Sequence, residues 1–483
     1  MTKSPRLWDR LSESMDFVRY EHKAGNDTYF VGYYRTLVDL VILQDHILEW
    51  IGNDQGRTLE SLFPLIPIAV KELTSDRERI ESKLLQGYVA VQRGGSDEQC
   101  LLVQADVAHG RSVTKTDNEF TVEGPKEAFV EMMDVNLNMV RRRLPVPELR
   151  IKEVTLGSLS KTKLAVCYID GITNEQLVDT CMQRLQAIEF DIVPEITVVQ
   201  QLIEDRSNSI FPQLFGTQRP DRVSWSLGIG QVCVFLDGSP TALVGPANLG
   251  FFFTSYEDYF LPWIIGSVLR LVRMAAVVFS VLASSLYVAI MTYHGQSITN
   301  TFLPTIVSSR IGVPFPPFVE VMIMELVITL LYEAGSRLPS KIGQTIGIVG
   351  GIVLGTAAVE AALTSNFLLI IVAMAALASF TTPVFRMSST IRTLRFPFIV
   401  AAQVWGLLGI AICGVAVVIH LLRLTSFGMP YLVPYYPYRQ SDFADSIIRA
   451  PYSKFHHRPS FLRTRNPVRF DRNKAKLKND IDE

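Results

Sequence analysis

The sequence predicts an α/β soluble N-terminal region of two related subdomains, followed by an α-helical multi-spanning membrane domain. Three observations carry that expectation. Mean hydropathy is +0.23 over 483 residues, high for a water-soluble chain of this length. Charged residues run throughout 1–260 and are nearly absent from most of 274–420. The charged half also repeats one order of β-rich runs and helix-like stretches. The boundaries fall at 1–120 and 121–260 for the two subdomains, 261–425 for a membrane domain with about five hydrophobic segments, and 426–483 for a Pro-rich and then basic C-terminal tail.

In the first subdomain, DTYFVGYYRTLVDLVIL (27–43) reads as two short strands broken near Arg35 and Thr36. A charged helix is expected around 69–86. In GYVAVQRGGSDEQCLLVQAD (87–106), VAV and CLLV flank a Gly-rich turn, a hairpin pattern. The second subdomain repeats the order: LRIKEVTLGSLSKTKLAVCYI (149–169) offers two strands, and NEQLVDTCMQRLQAI (174–188) has helical apolar spacing. GQVCVFLDGSPTALVGPA (230–247) is a hairpin turning at Asp237-Gly238. Between the subdomains, 124–144 reads as a linking helix, opened by Gly124-Pro125 and closed by Pro145 and Pro147. Arg141 to Arg143 at its end complement the helix dipole.

A membrane span takes roughly 20 apolar residues. Four uncharged stretches meet that need: 274–293, 342–359, 361–385 and 396–419. A fifth, 313–341, is apolar but starts with Pro314, Pro316 and Pro317 and carries Glu320, Glu325 and Glu333. Carboxylates at membrane depth are costly and face protein or water, so this segment is either re-entrant and pore-lining or a helix at the interface. Gly343, Gly347, Gly351 and Gly355 form a small-residue stripe suited to close helix packing. Glu360 follows that stripe as a fourth candidate carboxylate. Topology stays open: the loop with Arg386, Arg392 and Arg395 and the basic tail both read as cytosolic by the positive-inside rule, with one stretch between them. Either 396–419 is a hairpin, or one basic region breaks the rule.

The net charge of −1 gives no pull toward nucleic acid. Residues 449–483 hold ten Lys or Arg against four Asp or Glu, a tail that is either solvated or drawn to anionic headgroups. The N-terminus has no apolar h-region, so the soluble part is expected on the cytosolic side. Five scattered cysteines give no zinc pattern and read as packing residues in a reducing compartment. His456-His457 lacks nearby carboxylate or thiol partners, so no metal or cofactor is expected. Without a nucleophile, base or metal motif, the chain reads as a non-enzyme.

The segment LIEDRSNSIFPQLFGTQRPDRV (202–223) gathers Asp205, Arg206, Asn208, Pro212, Gln213, Arg219, Pro220 and Asp221. Physically it is a rigid polar connector with many capping and ion-pairing groups, suited to an interdomain or intersubunit clasp.

This loop, with VFLDGSPTALVGP, FFFTSYEDYF, SSRIGVPFPPFVEVMIMELVITLLYEAGSRLPSKIGQTIGIVGGIVLGTAAVEA, LTSFGMPYLVPYYP and RAPYSKFHHRP, resembles the GerA family of bacterial spore germination membrane proteins. The resemblance covers roughly 120–460 and extends N-terminally through 124–144 and SKTKLAVCYIDGI. The family includes the A subunits of germinant receptors and the stage V sporulation protein AF paralogue, and the short N-terminal extension and the tail HHRPSFLRTRN look more like the latter. The segment 31–51 departs from the family's usual first subdomain, where an ID-G run commonly follows the strand, so no ligand role is carried over to it.

The resemblance implies a multi-pass protein of the spore inner membrane with its N-terminal domains on the core side. It also implies a homo-oligomer acting with membrane lipid and other germination proteins, either B- and C-type subunits or another small membrane protein. It implies ion conduction early in germination, for which Glu320, Glu325, Glu333 and Glu360 would favour cations. The rival readings are a non-conducting membrane scaffold that oligomerises and docks germination partners, and a transporter, for which no inverted repeat is visible.

Overall fold

A computed structural model of the protein describes residues 7–24, 27–52, 58–94, 99–107, 119, 123–297, 303–336 and 355–470. Two antiparallel five-stranded sheets form the soluble region. The first comprises β1 (Phe17–Ala24), β2 (Asp27–Tyr34), β3 (Lys71–Thr74), β4 (Tyr88–Arg93) and β5 (Cys100–Gln104), in the spatial order β1-β2-β4-β5-β3. The second comprises β6 (Leu149–Leu156), β7 (Thr162–Ile169), β8 (Phe215–Thr217), β9 (Val232–Leu236) and β10 (Ala242–Gly245), in the order β6-β7-β9-β10-β8. The orders correspond strand for strand, so the repeat read in the sequence is also a repeat of topology.

Several local expectations change. The run 37–43 is not a strand: Asp39 caps a helix from Leu40 whose carboxylate accepts Val41 N–H, and Leu43, Ile47 and Ile51 bury one face. The stretch 69–86 divides into β3 and the helix Arg77–Leu84. The linking helix, α1 (Met133–Arg143), begins later than Gly124-Pro125 suggested. Arg141 is not a solvated dipole partner. It is fully buried, its Nε and Nη2 reach the two carboxylate oxygens of Asp16 at 2.9 and 2.8 Å, and it lies over the Tyr34 ring. An arginine of the second unit therefore ties down the N-terminal turn of the first.

The second unit ends in α2 (Pro220–Ile229), with Pro220 in its first turn, and in the hairpin β9–β10. Beyond it lie α3 (Trp263–Thr292), α4 (Pro317–Ser336), α5 (Asn366–Ser379) and α6 (Phe385–Leu422). α3 is about 45 Å long at 1.5 Å per residue. Two described helices, α3 and α6, are long and apolar enough to cross a membrane.

α6 is not one straight helix. Gly406, at φ 60° and ψ −136°, breaks it into arms 385–405 and 407–422. Thr390 bonds the carbonyl of Ile210, and His420 bonds Ser209, the adjacent residue. Thirty residues of straight helix would separate them by about 45 Å. The arms therefore double back, and Arg386, Arg392 and the start of the C-terminal region lie at the same end of the bundle, the arrangement of the hairpin alternative. The stretch 396–419 lies within α6 and contains its break at Gly406, and 361–385 holds a 14-residue helix flanked by turns. Most of 342–359, including Gly343, Gly347 and Gly351, lies outside the described residues.

Residues 423–470 are not a solvated tail. Leu424 and Tyr431 complete the core beneath the second sheet together with Phe252 and Met387, while Val433, Phe461 and Leu462 pack beside Ile229. They form a C-terminal belt around the second unit.

Candidate functional site: a buried ionic cluster in the helical bundle

α3 leaves the soluble unit at Trp263, and its other end, at Tyr293, meets the α6 bend: Tyr293 Oη donates to the carbonyl of Gln403 at 2.7 Å. α4 runs the opposite way, from Glu320 near that far end to Tyr332, whose ring stacks on Phe385 at the soluble end. Serines on α3 face α4 and α6 where a larger side chain would separate the helices.

Arg395, on the first arm of α6, reaches into this interior. Its Nη1 lies 3.2 Å from Glu325 Oε2, and its Nη2 donates to Ser280 Oγ and, at 2.6 Å, to the carbonyl of Ala375. Ser284 Oγ donates to the other oxygen of Glu325 at 2.6 Å. Neither side chain of the pair is more than 3% exposed. Among the described residues Arg395 Nε has no hydrogen-bond partner.

Toward the far end, Glu320 is fully buried and accepts Ser365 N–H at 2.6 Å and Thr364 Oγ–H at 3.2 Å. Its second oxygen faces Arg310 Nε at 3.6 Å, beyond hydrogen-bond reach. Each buried carboxylate thus faces an arginine of the same chain, in an interior where an isolated charge is costly.

The other two candidate carboxylates are not part of this cluster. Glu333 is exposed at the soluble end of α4, beside Tyr332, and Glu360 is exposed on the helical turn before Thr364. A Cβ added at Gly355 would lie 3.7 Å from the Leu369 side chain of α5, ordinary van der Waals contact. Among the described residues no group of three His, Cys, Asp or Glu is placed to hold a metal ion.

The loop 202–223 joins the second unit to the belt. Asp205 accepts from Arg184, from Thr425 Oγ and from the N–H groups of Phe427 and Gly428. Burial pushes its carboxyl up, but these donors outweigh burial and hold it below the ordinary carboxylate range. Arg206 and Gln213 exchange two hydrogen bonds between backbone and side-chain amide, and Tyr431 Oη donates to the carbonyl of Pro212. Asn208 is exposed. Arg219 pairs with Asp221 through two bonds of 3.1 and 2.7 Å. It also lines a cavity shared with Tyr332, Phe380 and Phe385, and the loop touches the bundle through the bond of Thr390 to the Ile210 carbonyl.

The family profile described as Bacillus/Clostridium GerA spore germination protein matches residues 6–461. The chain belongs to the GerA family. It is 45% identical to spore germination protein GerQA of Bacillus cereus, across 99% of this chain and 97% of that protein. It is 36% identical to spore germination protein A1 of Bacillus subtilis, across 92% of each. The crystal structure of the N-terminal domain of the A subunit of the Bacillus megaterium spore germinant receptor GerK3 shares 26% identity. It covers 50% of this chain and 92% of that one, with a TM-score of 0.39.

In this GerA-family chain the sequence pointed to Glu320 and Glu325 but not to their partners. Starting the apolar stretch at 396 leaves Arg395 in a loop and hides the helix that begins at Phe385. Arg310 stood outside every apolar segment considered. The usable signal was simple: an apolar stretch with two internal carboxylates requires two cations.

Proposed function

We propose that the chain is the A-type membrane subunit of a germinant receptor. In this reading it is a multi-pass protein of the spore inner membrane with its soluble units on the core side. Its helical bundle forms an ion path once assembled with further copies and with other germination membrane proteins. Identity with GerQA over nearly the full length of both proteins supports the A-type assignment over the AF paralogue.

One observation carries the conduction reading: Glu325 is held by Arg395 inside the bundle. A carboxylate with a tethered cation is a cation site occupied by its own chain. Withdrawal of Arg395 along the α6 hairpin would leave Glu325 for a permeating cation. The wide apolar belt around the bundle, with Val272, Val278, Leu330, Leu408 and Val415 more than half exposed, supports a lipid-facing exterior. The cavity between Arg219 and Tyr332 supplies a route by which the soluble units bear on α4.

The second reading, a non-conducting scaffold, treats the same pair as internal cement. Planar-bilayer recording on the purified protein, with oligomeric mass taken from the same sample, decides between them. Discrete cation-selective openings that Glu325→Gln diminishes establish conduction. Silence of a well-assembled oligomer, persisting when partner subunits are added, establishes the scaffold.

A further inference from the structure

A cavity of about 250 Å³ lies where the C-terminal belt meets α2 and the residues leading into α3. One wall is apolar, made by Trp225, Phe251 and Phe461. Two acids line the cavity, and both are committed. Asp442 accepts Ser460 N–H and Phe461 N–H, and Asp445 accepts from Arg270 at 3.0 Å and Tyr259 Oη at 2.6 Å.

The bases are placed differently. Arg469 lies over the Trp225 ring at 4.3 Å, and its guanidinium has no hydrogen bond or ion pair among the described residues. Lys454 lines the cavity, is exposed, and its ammonium has none either. His456 and His457 stack on each other at 4.1 Å along the same wall. Arg458, also in the lining, donates to the carbonyls of Gly228, Asn466 and Val468. With the acids satisfied and Arg469 and Lys454 without a hydrogen-bonded partner among the described residues, the cavity is complementary to an anion.

Its position identifies which anion. Tyr259 precedes α3 by one turn, and Arg270 on the second turn of α3 binds Asp445 of the cavity wall. Around this level the chain exposes Trp263, Tyr436, Tyr438 and Tyr452, each at least 45% accessible. Exposed Trp and Tyr at one end of an apolar bundle mark the headgroup layer. We propose that this cavity binds the phosphate of an anionic lipid headgroup, with Arg469 and Lys454 as its ligands and the aromatic wall against the glycerol. The inference is independent of whether the bundle conducts ions.

The test uses the full chain in nanodiscs of zwitterionic lipid alone or with about 30% phosphatidylglycerol. Retained lipid is read by native mass spectrometry and the thermal midpoint by fluorescence. The expected result is selective retention of the anionic lipid and a raised midpoint. Lys454→Gln and Arg469→Gln should each lower retention about fivefold and flatten its dependence on salt. Lys454 is exposed, so its variant leaves folding intact. Equal retention of both lipids, or variants that behave as the parent, would overturn the proposal. A parallel titration of inorganic phosphate into the protein in uncharged micelles separates the two sources. Stabilisation there, with no added effect of the lipid, reassigns the cavity to a free anion and rejects the headgroup.

Discussion

Arg395 Nη1 and Glu325 Oε2 meet at 3.2 Å between two helices whose outer faces are apolar, and every other bond either side chain makes is to a neighbour within the bundle. Removing one partner leaves an uncompensated buried charge, at a cost of about 3–5 kcal/mol. Glu325→Gln and Arg395→Gln should therefore each destabilise the protein strongly in detergent. The double variant should lose much less than the sum, because it removes both charges. A thermodynamic cycle on thermal or denaturant unfolding gives the coupling directly, and additive losses would show that the pair is not mutually stabilising.

Gly406 sets the direction of α6. Its φ of 60° with ψ −136° lies in a region that is nearly glycine-only, and a Cβ there would meet His294 and Tyr293 at 3.0–3.1 Å. Gly406→Ala should lower stability by about 1–3 kcal/mol. The hairpin itself is checked by labelling. Cysteines introduced at Thr381 and Ser441, exposed residues before and after α6, should react with an impermeant thiol reagent from the same side of a sealed vesicle. Reaction from opposite sides would show a straight crossing.

Arg141 makes the most buried of the bonds that join the two soluble units, beside the pairs Arg10–Glu148, Arg35–Glu153 and Arg150–Glu13. Its bonds to Asp16, Ser14 and the Leu149 carbonyl span both units, and it is fully buried. Arg141→Met keeps volume but strands Asp16 without its cation, so a loss of about 3 kcal/mol or more is expected. Calorimetry of the full chain should then show the first unit melting ahead of the second. A single unsplit transition would mean that other contacts suffice to couple them.

What the sequence revealed divides along physical lines. The hairpins β4–β5, β6–β7 and β9–β10 were legible because alternating or β-branched runs flank turn residues. The helix from Leu40 was misread because Val and Ile favour strands, although Leu43, Ile47 and Ile51 already stand at helical spacing. β1 was missed because FVRYEHKA is an edge strand with charges on its exposed face, and it looks like a loop by composition alone. In the bundle the carboxylates were visible and their arginines were not, since pairing across helices leaves no local period. The belt was illegible for the same reason: YLVPYYPY has neither a helical nor a strand repeat, and its order comes from Asp205 and the second sheet.

Asp205 anchors that belt, and its ionisation gives the pH dependence. An aspartate in an unfolded chain titrates near 3.9. In the folded protein the donors from Arg184, Thr425 and Gly428 hold it lower. A depressed carboxyl contributes stability that is complete above the unfolded value and is lost as pH falls through the folded one, so the belt should loosen below about pH 4. Asp205→Ala removes the acceptor at every pH and should cost about 2–3 kcal/mol. It should also abolish this acid sensitivity. Limited proteolysis within 431–450 reads the detachment: the parent should become cleavable only in acid, and the variant equally at neutral pH. A variant that stays protected at pH 7 would show that Leu424 and Tyr431 hold the belt without Asp205, and would reduce the clasp to a local cap.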